Sequence, residues 1–141
     1  MTERSLIGPV LLVDDEESIR ATVEACLEAI GVGDVRVAES GEIALAMVAD
    51  QRPAVLLLDL LMPGTDGFAV LRALRGLQPN QQPERIIVMS AIADPSVVDA
   101  LVSLGADAVL PKPFNLSELR RVLARDGQAR PDAHRPAQAA L

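Results

Sequence analysis

Residues 54–64 read AVLLLDLLMPG, so five apolar side chains run directly into Asp59, and a Pro-Gly pair follows shortly after it. The five do not alternate with polar residues, which is typical of a strand covered on both faces of a parallel sheet. An aspartate directly after such a strand is not expected to be ordinary solvated surface. Asp59 is therefore the first candidate functional residue.

Four further segments have strand character. Three are uninterrupted apolar runs, and each predicts a strand covered on both faces: Val10–Val13, 86–89 and 108–110. The run Val35–Ala38 alternates with a polar residue, which predicts an edge strand with one face partly wet.

Helical patterns lie between these runs, over residues 18–30, 40–50, 68–77, 96–104 and 116–125. Gly31 is a plausible stop for the first helix. Asp94 followed by Pro95 predicts a helix start, and either Asn115 or Ser117 is predicted to cap the last helix. Five alternations of strand and helix indicate a doubly wound α/β sheet with right-handed crossovers.

Length and composition narrow the class of protein. At 141 residues the chain is the size of one domain, predicted as residues 1–126, and the Pro-containing segment 127–141 is expected to be a flexible tail or the start of a linker. The net charge of −7 argues against a nucleic-acid surface. One cysteine, Cys26, excludes an internal disulfide and is expected to be a packing residue. No signal peptide or membrane span is visible, which favours a cytoplasmic location.

Polar side chains stand where the predicted strands end: Asp14 and Asp15, Asp59, Ser90 and Lys112. The carboxyl edge of an open α/β sheet is where ligands bind, next to the point where the strand order reverses. Two carboxylates about 4 Å apart repel by roughly 4 kcal/mol at an effective dielectric near 20, so convergence of three needs a compensating cation or a raised pKa. Oxygen ligands of this kind suit Mg²⁺.

Each of these residues also has a simpler interpretation. Asp14 and Asp15 could cap the first helix, because acids are favoured near helix N-termini. Ser90 alone could be an ordinary hydroxyl at a strand end. Lys112 is the only lysine beside twelve arginines, which indicates that its position requires a compact ammonium charge.

Together these motifs closely resemble the receiver domain of bacterial two-component response regulators, of the CheY-like superfamily. The resemblance covers roughly residues 10–125 and is carried by four motifs: Asp14-Asp15, LLDLLMPGTDG at 57–67, Ser90-Ala91 and Lys112-Pro113-Phe114. It implies a flavodoxin-like (βα)5 fold, with a five-stranded parallel sheet of order 2-1-3-4-5. It also implies a phosphorylation switch in phosphorelay signal transduction.

The resemblance further implies a role for each site residue. Asp59 would accept a phosphoryl group from a sensor histidine kinase or phosphotransfer protein. Asp15, Asp59 and the backbone carbonyl of Leu61 would bind Mg²⁺, with Asp14 acting largely through a coordinated water. Lys112 and the Ser90 hydroxyl would contact phosphoryl oxygens, and Lys112-Pro113 matches a position where the peptide is often cis. The chain would be a switch that docks on a downstream protein, not an enzyme.

Two departures from the family pattern bear on the switch. Three residues before the lysine, where most members carry an aromatic ring that changes orientation, stands Val109. The usual aromatic readout is therefore in doubt. Leu61 and Ile92, two residues after Asp59 and Ser90, are apolar, and a slowly decaying phosphoryl group is expected.

Other readings of the sequence stay open. A phosphatase of the haloacid-dehalogenase type also uses a strand-end aspartate, but it carries a second aspartate where this chain has Leu61. A degenerate receiver acting as a constitutive protein-interaction module is the main alternative. His134 lies in the tail, so a phosphorelay histidine is not expected. The kinase, the target, the output and the oligomeric state, including a dimer formed on phosphorylation, are left undecided.

Overall fold

The computed structural model describes residues 7–124, where strand and helix alternate five times. The strands are β1 (Val10–Val13), β2 (Val35–Ala38), β3 (Val55–Asp59), β4 (Arg85–Ser90) and β5 (Ala108–Pro111). The helices are α1 (Glu17–Ile30), α2 (Gly41–Asp50), α3 (Gly67–Arg75), α4 (Pro95–Ser103) and α5 (Leu116–Leu123), with a short 3₁₀ helix at Pro79–Gln81.

Three predictions fall outside the described residues: the domain end at 125–126, the tail 127–141 and the exclusion of His134 as a phosphorelay histidine. Within residues 7–124, no helix combines the length and the apolarity that crossing a membrane demands.

All five strands are parallel, in the order β2-β1-β3-β4-β5. This is the predicted flavodoxin-like sheet. The chain leaves β1 toward one edge and then returns to build the other side from β3, so the order reverses between β1 and β3. The register aligns Val13 with Leu58, which brings the residues after these two strands side by side at the carboxyl edge. Ligands bind open α/β sheets at this kind of switch point.

Two apolar cores cover the sheet, one on each face. Helices α1 and α5 pack on one face through Val23, Leu27, Leu119 and Leu123. Helices α2, α3 and α4 pack on the other face through Ala44, Val48, Val70, Leu71, Leu74 and Leu101. Cys26 is half-buried against the first core, as expected of a packing residue. Since the central strands are covered on both sides, their apolar runs contain no polar position.

The prediction that β5 is covered on both faces is confirmed only in part, because Val109 packs against one core and Ala108 and Leu110 pack against the other, but the strand is not fully buried. Ala108 and Val109 are only half-buried and Pro111 is exposed, while Leu110 is buried. The reason is topological, because β5 pairs with β4 alone and forms the second edge of the sheet. The predicted edge strand β2 is confirmed, with Ala38 as its buried residue.

The predicted helix caps can be compared directly. Gly31 ends α1 with a left-handed backbone (φ 106°), and Asp94 accepts a backbone hydrogen bond at the start of α4. Asn115 caps α5, so the alternative cap Ser117 was wrong. The Asn115 side chain accepts the Glu118 N–H and the Glu118 carboxylate accepts the Asn115 N–H, which completes a capping box. Other element ends differ from prediction by one or two residues, and the 3₁₀ helix was not predicted.

Candidate phosphoacceptor and metal site

Three aspartates meet in the crevice at the carboxyl edge of β1 and β3. Asp14 and Asp15 follow β1, and Asp59 is the last residue of β3. One carboxylate oxygen from each lies within 4.8 Å of the other two. Asp14 is fully buried and Asp59 is 5% exposed, whereas Asp15 is exposed. The predicted convergence of three carboxylates is therefore what the fold produces.

Lys112, just after β5, reaches into this cluster. Its Nζ donates to Asp14 Oδ2 and Asp59 Oδ1, both at 3.0 Å. The Lys112–Pro113 peptide is cis, as expected from the family pattern. When all the groups are ionised, three carboxylates and one ammonium leave two uncompensated negative charges. Hard oxygen donors with that residual charge suit a divalent cation such as Mg²⁺.

The pKa values of Asp59 and Lys112 are both shifted by burial and by the contact between the two side chains. Burial raises the pKa of Asp59, although the hydrogen bond from Lys112 opposes the rise. Burial alone would lower the pKa of Lys112, but the hydrogen bonds to Asp59 and Asp14 outweigh it, so the Lys112 pKa is raised. Lys112 therefore stays protonated at neutral pH, while the Asp59 carboxylate is held in an environment that disfavours its charge.

Ser90 is fully buried at the end of β4, next to β3. Its hydroxyl donates to the Ile92 carbonyl at 2.6 Å and accepts from the Ile92 N–H at 2.9 Å. The Ser90 carbonyl accepts from the Lys112 N–H at 2.8 Å. Ser90 is thus bonded to the backbone of both Ile92 and Lys112. A ligand that accepts a hydrogen bond from the Ser90 hydroxyl must first break the hydrogen bonds between that hydroxyl and the Ile92 backbone.

The loop after β3 carries Leu61, whose side chain is 52% exposed. Its carbonyl accepts no hydrogen bond from residues 7–124, which leaves that oxygen available to a ligand. The loop is closed by Gly67, whose N–H donates to the Leu60 carbonyl at 2.8 Å. A Cβ at Gly67 would lie 2.8 Å from Leu60 Cα and 2.9 Å from the Asp59 carbonyl oxygen, so a larger residue would push the loop away.

Neither Asp14 nor Asp15 is the N-cap of α1, so the simpler interpretation of these two residues was wrong. The N-cap is Glu16, whose N–H donates to Asp14 Oδ1 at 3.0 Å. A contact that was not predicted joins Arg20 of α1 to the Asp14 carbonyl, at 2.8 Å. A basic residue in the early part of a helix opposes the helix dipole, and this could have indicated that Arg20 has a partner there.

A family model described as the response regulator receiver domain matches residues 10–124. The probable transcriptional regulator ycf27 of Porphyridium aerugineum is 39% identical over 124 residues, covering 85% of this chain and 50% of that protein. The response regulator MprA of Mycobacterium tuberculosis is 40% identical over 110 residues, covering 78% of this chain and 46% of that protein. The chain therefore spans about half the length of these curated relatives.

Solved structures are similar over the same region. The chemotaxis response regulator CheY4 of Vibrio cholerae has a TM-score of 0.75 at 33% identity, covering 83% of this chain and 96% of that one. The receiver domain of the sensor histidine kinase PA1611 of Pseudomonas aeruginosa has a TM-score of 0.75 at 30% identity, covering 84% and 95%. That structure holds a magnesium ion coordinated in its active-site cleft.

Proposed function

The chain belongs to the response regulator receiver domain family, and from that premise we propose that it accepts a phosphoryl group on Asp59 and thereby switches a protein-docking surface. One observation carries the proposal: Asp59 is a buried strand-end carboxylate, hydrogen-bonded to Lys112 at 3.0 Å and grouped with two other carboxylates. A structural acid would not need two like charges within 4.8 Å.

The site residues fit Mg²⁺ by the chemistry of their donors and by their residual negative charge. Asp15, Asp59 and the Leu61 carbonyl would hold the ion, and Asp14 would act through a coordinated water. When bound, Mg²⁺ supplies charge neutralisation for the phosphoryl oxygens.

The phosphoryl step is a transfer between two side chains. An Asp59 carboxylate oxygen forms the new bond to phosphorus as the bond to the donor nitrogen, on a phosphohistidine of the partner, breaks. The ammonium of Lys112 already lies against the accepting carboxylate and can move to a phosphoryl oxygen, where it stabilises the developing charge. The chain is consumed as the acceptor and turns over no substrate, so it is not an enzyme in this scheme.

The switch would be read out through the loop after Ser90. Position 109 carries a valine, which is half-buried against the core formed with α2, α3 and α4. The site therefore has no aromatic ring here that could change orientation. Recruitment of the Ser90 hydroxyl by the phosphoryl group would break both of its hydrogen bonds to Ile92. Ile92 is 43% exposed, so the movement would alter an apolar surface side chain.

The cellular setting follows from the same scheme. A sensor histidine kinase or phosphotransfer protein is the donor, the downstream target is a protein, and both act in the cytoplasm. The alternative of a constitutive interaction module is not favoured, since every position of the site keeps a side chain suited to the chemistry.

The test is phosphorylation by a small acyl-phosphate donor, read as intact mass. The wild type should gain one phosphoryl group in the presence of Mg²⁺ and none in its absence. The Asp59→Ala variant should gain none, whereas Asp50→Ala, which removes an exposed aspartate at the end of α2, should behave as the wild type. A folded wild type that gains no phosphoryl group would contradict the proposal and favour the interaction-module alternative.

A further inference from the structure

Residues 60–66, here called the acceptor loop, join β3 to α3 and contain the proposed carbonyl ligand. The loop is fixed at its two ends. Leu60 is buried and its N–H donates to Met89 at 3.0 Å, while Asp66 accepts the N–H of Ala69 at 2.9 Å. Between these points Leu61 is largely exposed, so burial of its own side chain does not hold the carbonyl in place.

Helix α2 touches the acceptor loop near its C-terminal end, at Thr65, through the first residue of the helix, Gly41. A Cβ at this position would lie 2.5 Å from the Thr65 carbonyl oxygen and 2.9 Å from Thr65 Cγ2. The helix backbone therefore approaches the loop more closely than any side chain would allow. Ala44 and Val48 anchor the same helix in the core, so the helix is a fixed surface against which the loop can be placed.

One side-chain hydrogen bond adds to this contact. Thr65 Oγ1 donates to Glu42 Oε2 at 2.7 Å, across 23 residues of sequence. This bond is the first cause of a lowered pKa at Glu42, to which the Glu42 backbone and Ser40 also contribute. Glu42 is therefore ionised at neutral pH, and hydrogen bonds to an ionised acceptor are stronger than neutral ones.

We infer that Glu42 is a positioning residue for the phosphoryl reaction, acting through Thr65 to hold the Leu61 carbonyl where Mg²⁺ requires it. The inference rests on the proposed function. Glu42 touches none of the proposed ligands; it acts through the loop, as outer groups commonly do around metal ligands. Loss of the Thr65 bond lets the loop sample other positions, and the cost appears as weaker metal binding.

The experiment measures Mg²⁺ affinity by calorimetric titration for four single variants and for the double variant that combines Thr65→Val with Glu42→Ala. Thr65→Val removes the donor, keeps the shape and leaves the charge of Glu42 unchanged. Glu42→Gln removes the charge but keeps an acceptor oxygen, whereas Glu42→Ala removes both. Glu28→Ala is the matched control, because it removes an exposed helical carboxylate on α1.

We expect Thr65→Val and Glu42→Ala each to weaken Mg²⁺ binding about fivefold, and the double variant to be no weaker than either. Glu42→Gln should weaken binding less than Glu42→Ala, because its amide oxygen is a weaker but still available acceptor, and Glu28→Ala should bind within about twofold of the wild type. Without metal, the backbone amides of the acceptor loop should exchange with solvent faster in Thr65→Val, which an electrostatic role of Glu42 would not produce.

Two results would overturn the inference. Equal weakening in Glu42→Gln and Glu42→Ala, with Thr65→Val unchanged, would show that Glu42 acts only by its charge. If Thr65→Val keeps the Mg²⁺ affinity and the amide exchange rates of the wild type, the Thr65–Glu42 hydrogen bond does not position the acceptor loop. If the wild type is phosphorylated normally in either case, the proposed function stands. A wild type that binds no Mg²⁺ would overturn the inference and the proposed function together.

Discussion

The Asp59 carboxylate is held in the fold at a cost in free energy, because it is 5% exposed and shares its crevice with two other carboxylates. The ammonium of Lys112 offsets part of that cost through a direct hydrogen bond. The remainder appears as the raised pKa of Asp59. Selection for stability alone would replace the Asp59 carboxylate. Its presence at this position fits the nucleophile that the proposed chemistry needs.

Replacing Asp59 by Asn should therefore stabilise the protein at neutral pH. A folded-state pKa raised above the ordinary value means that the contribution of Asp59 is most favourable at low pH and is lost as pH rises through that pKa. The Asp59→Asn variant should gain on the order of 1 kcal/mol at about pH 7, or roughly 4 °C in melting temperature. The gain should shrink as pH falls toward about 4.

Thermal unfolding followed by circular dichroism between these pH values measures the difference. Asp50→Asn, at an exposed position, is the control and should show no gain. An Asp59→Asn variant that melts below the wild type at neutral pH would contradict the account of the site. Lys112 should not contribute to this pH dependence, since its raised pKa places its loss of charge in the alkaline range.

Under the proposed function, the lifetime of the phosphoryl group on Asp59 is a second property that we expect single residues to set. Leu61 and Ile92 are 52% and 43% exposed, and both are apolar. Such side chains offer no hydrogen bond to orient a water for attack on the phosphoryl group. Leu61→Asn combined with Ile92→Asn should shorten the lifetime about tenfold, with little effect on folding because both positions face solvent.

The lifetime is measured by intact mass after the phosphoryl donor is removed. Val102→Asn, at an exposed apolar position of α4, is the control for surface polarity. Decay of the wild type within seconds, unchanged in the double variant, would show that the two apolar residues do not limit access of water.

At the scale of the elements, the stability of helix α5 depends on contacts at its two ends. It has eight residues, too few for stable helix formation alone. The Asn115–Glu118 capping box supports its start. At its end, Arg85 of β4 donates to the carbonyls of Val122 and Leu123 at 2.7 and 3.2 Å. The helix therefore persists because its two ends and its buried face are all satisfied.

Asn115→Ala should lower the free energy of unfolding by about 1 kcal/mol, because it leaves a backbone N–H of the first turn without its side-chain acceptor. Ser117→Ala is the matched control, since Ser117 is a neighbouring exposed residue that makes no capping contact, and its effect should stay within about 0.5 kcal/mol. Urea denaturation measures both values. Equal losses in the two variants would show that the capping box does not support α5.

The elements also show which parts of the fold were predictable. The central strands were predictable because burial on both faces permits only apolar residues, and the sequence records that requirement directly. The edge position of β5 was not, since an apolar run does not state how many strands lie beside it. The Glu42–Thr65 contact was equally hidden, because it depends on how a loop meets a helix 23 residues away.

In the molecule as a whole, the site joins the ends of four strands that lie far apart in the sequence, β1, β3, β4 and β5, and its carboxylates leave two negative charges uncompensated. Binding of a divalent cation to the folded state alone should raise global stability by linkage. At a Mg²⁺ concentration 100 times the dissociation constant, the gain is about 2.7 kcal/mol, which corresponds to several degrees in melting temperature.

The Asp15→Asn variant should lose most of this gain and keep the metal-free stability of the wild type, because Asp15 is exposed. Differential scanning calorimetry measures the melting temperature without Mg²⁺, with Mg²⁺, and with Mg²⁺ followed by an excess of chelator. The same Mg²⁺ effect in wild type and Asp15→Asn would indicate that the ion binds elsewhere.

The strand order has a consequence for how the protein is made. Asp14 comes from the first strand and Lys112 follows the last, 98 residues further along the chain. A ribosome therefore exposes the acidic residues long before the counter-charge exists, and a half-made chain has no complete site to be phosphorylated. Under the proposed function, assembly of the sheet must therefore finish before Asp59 could accept a phosphoryl group.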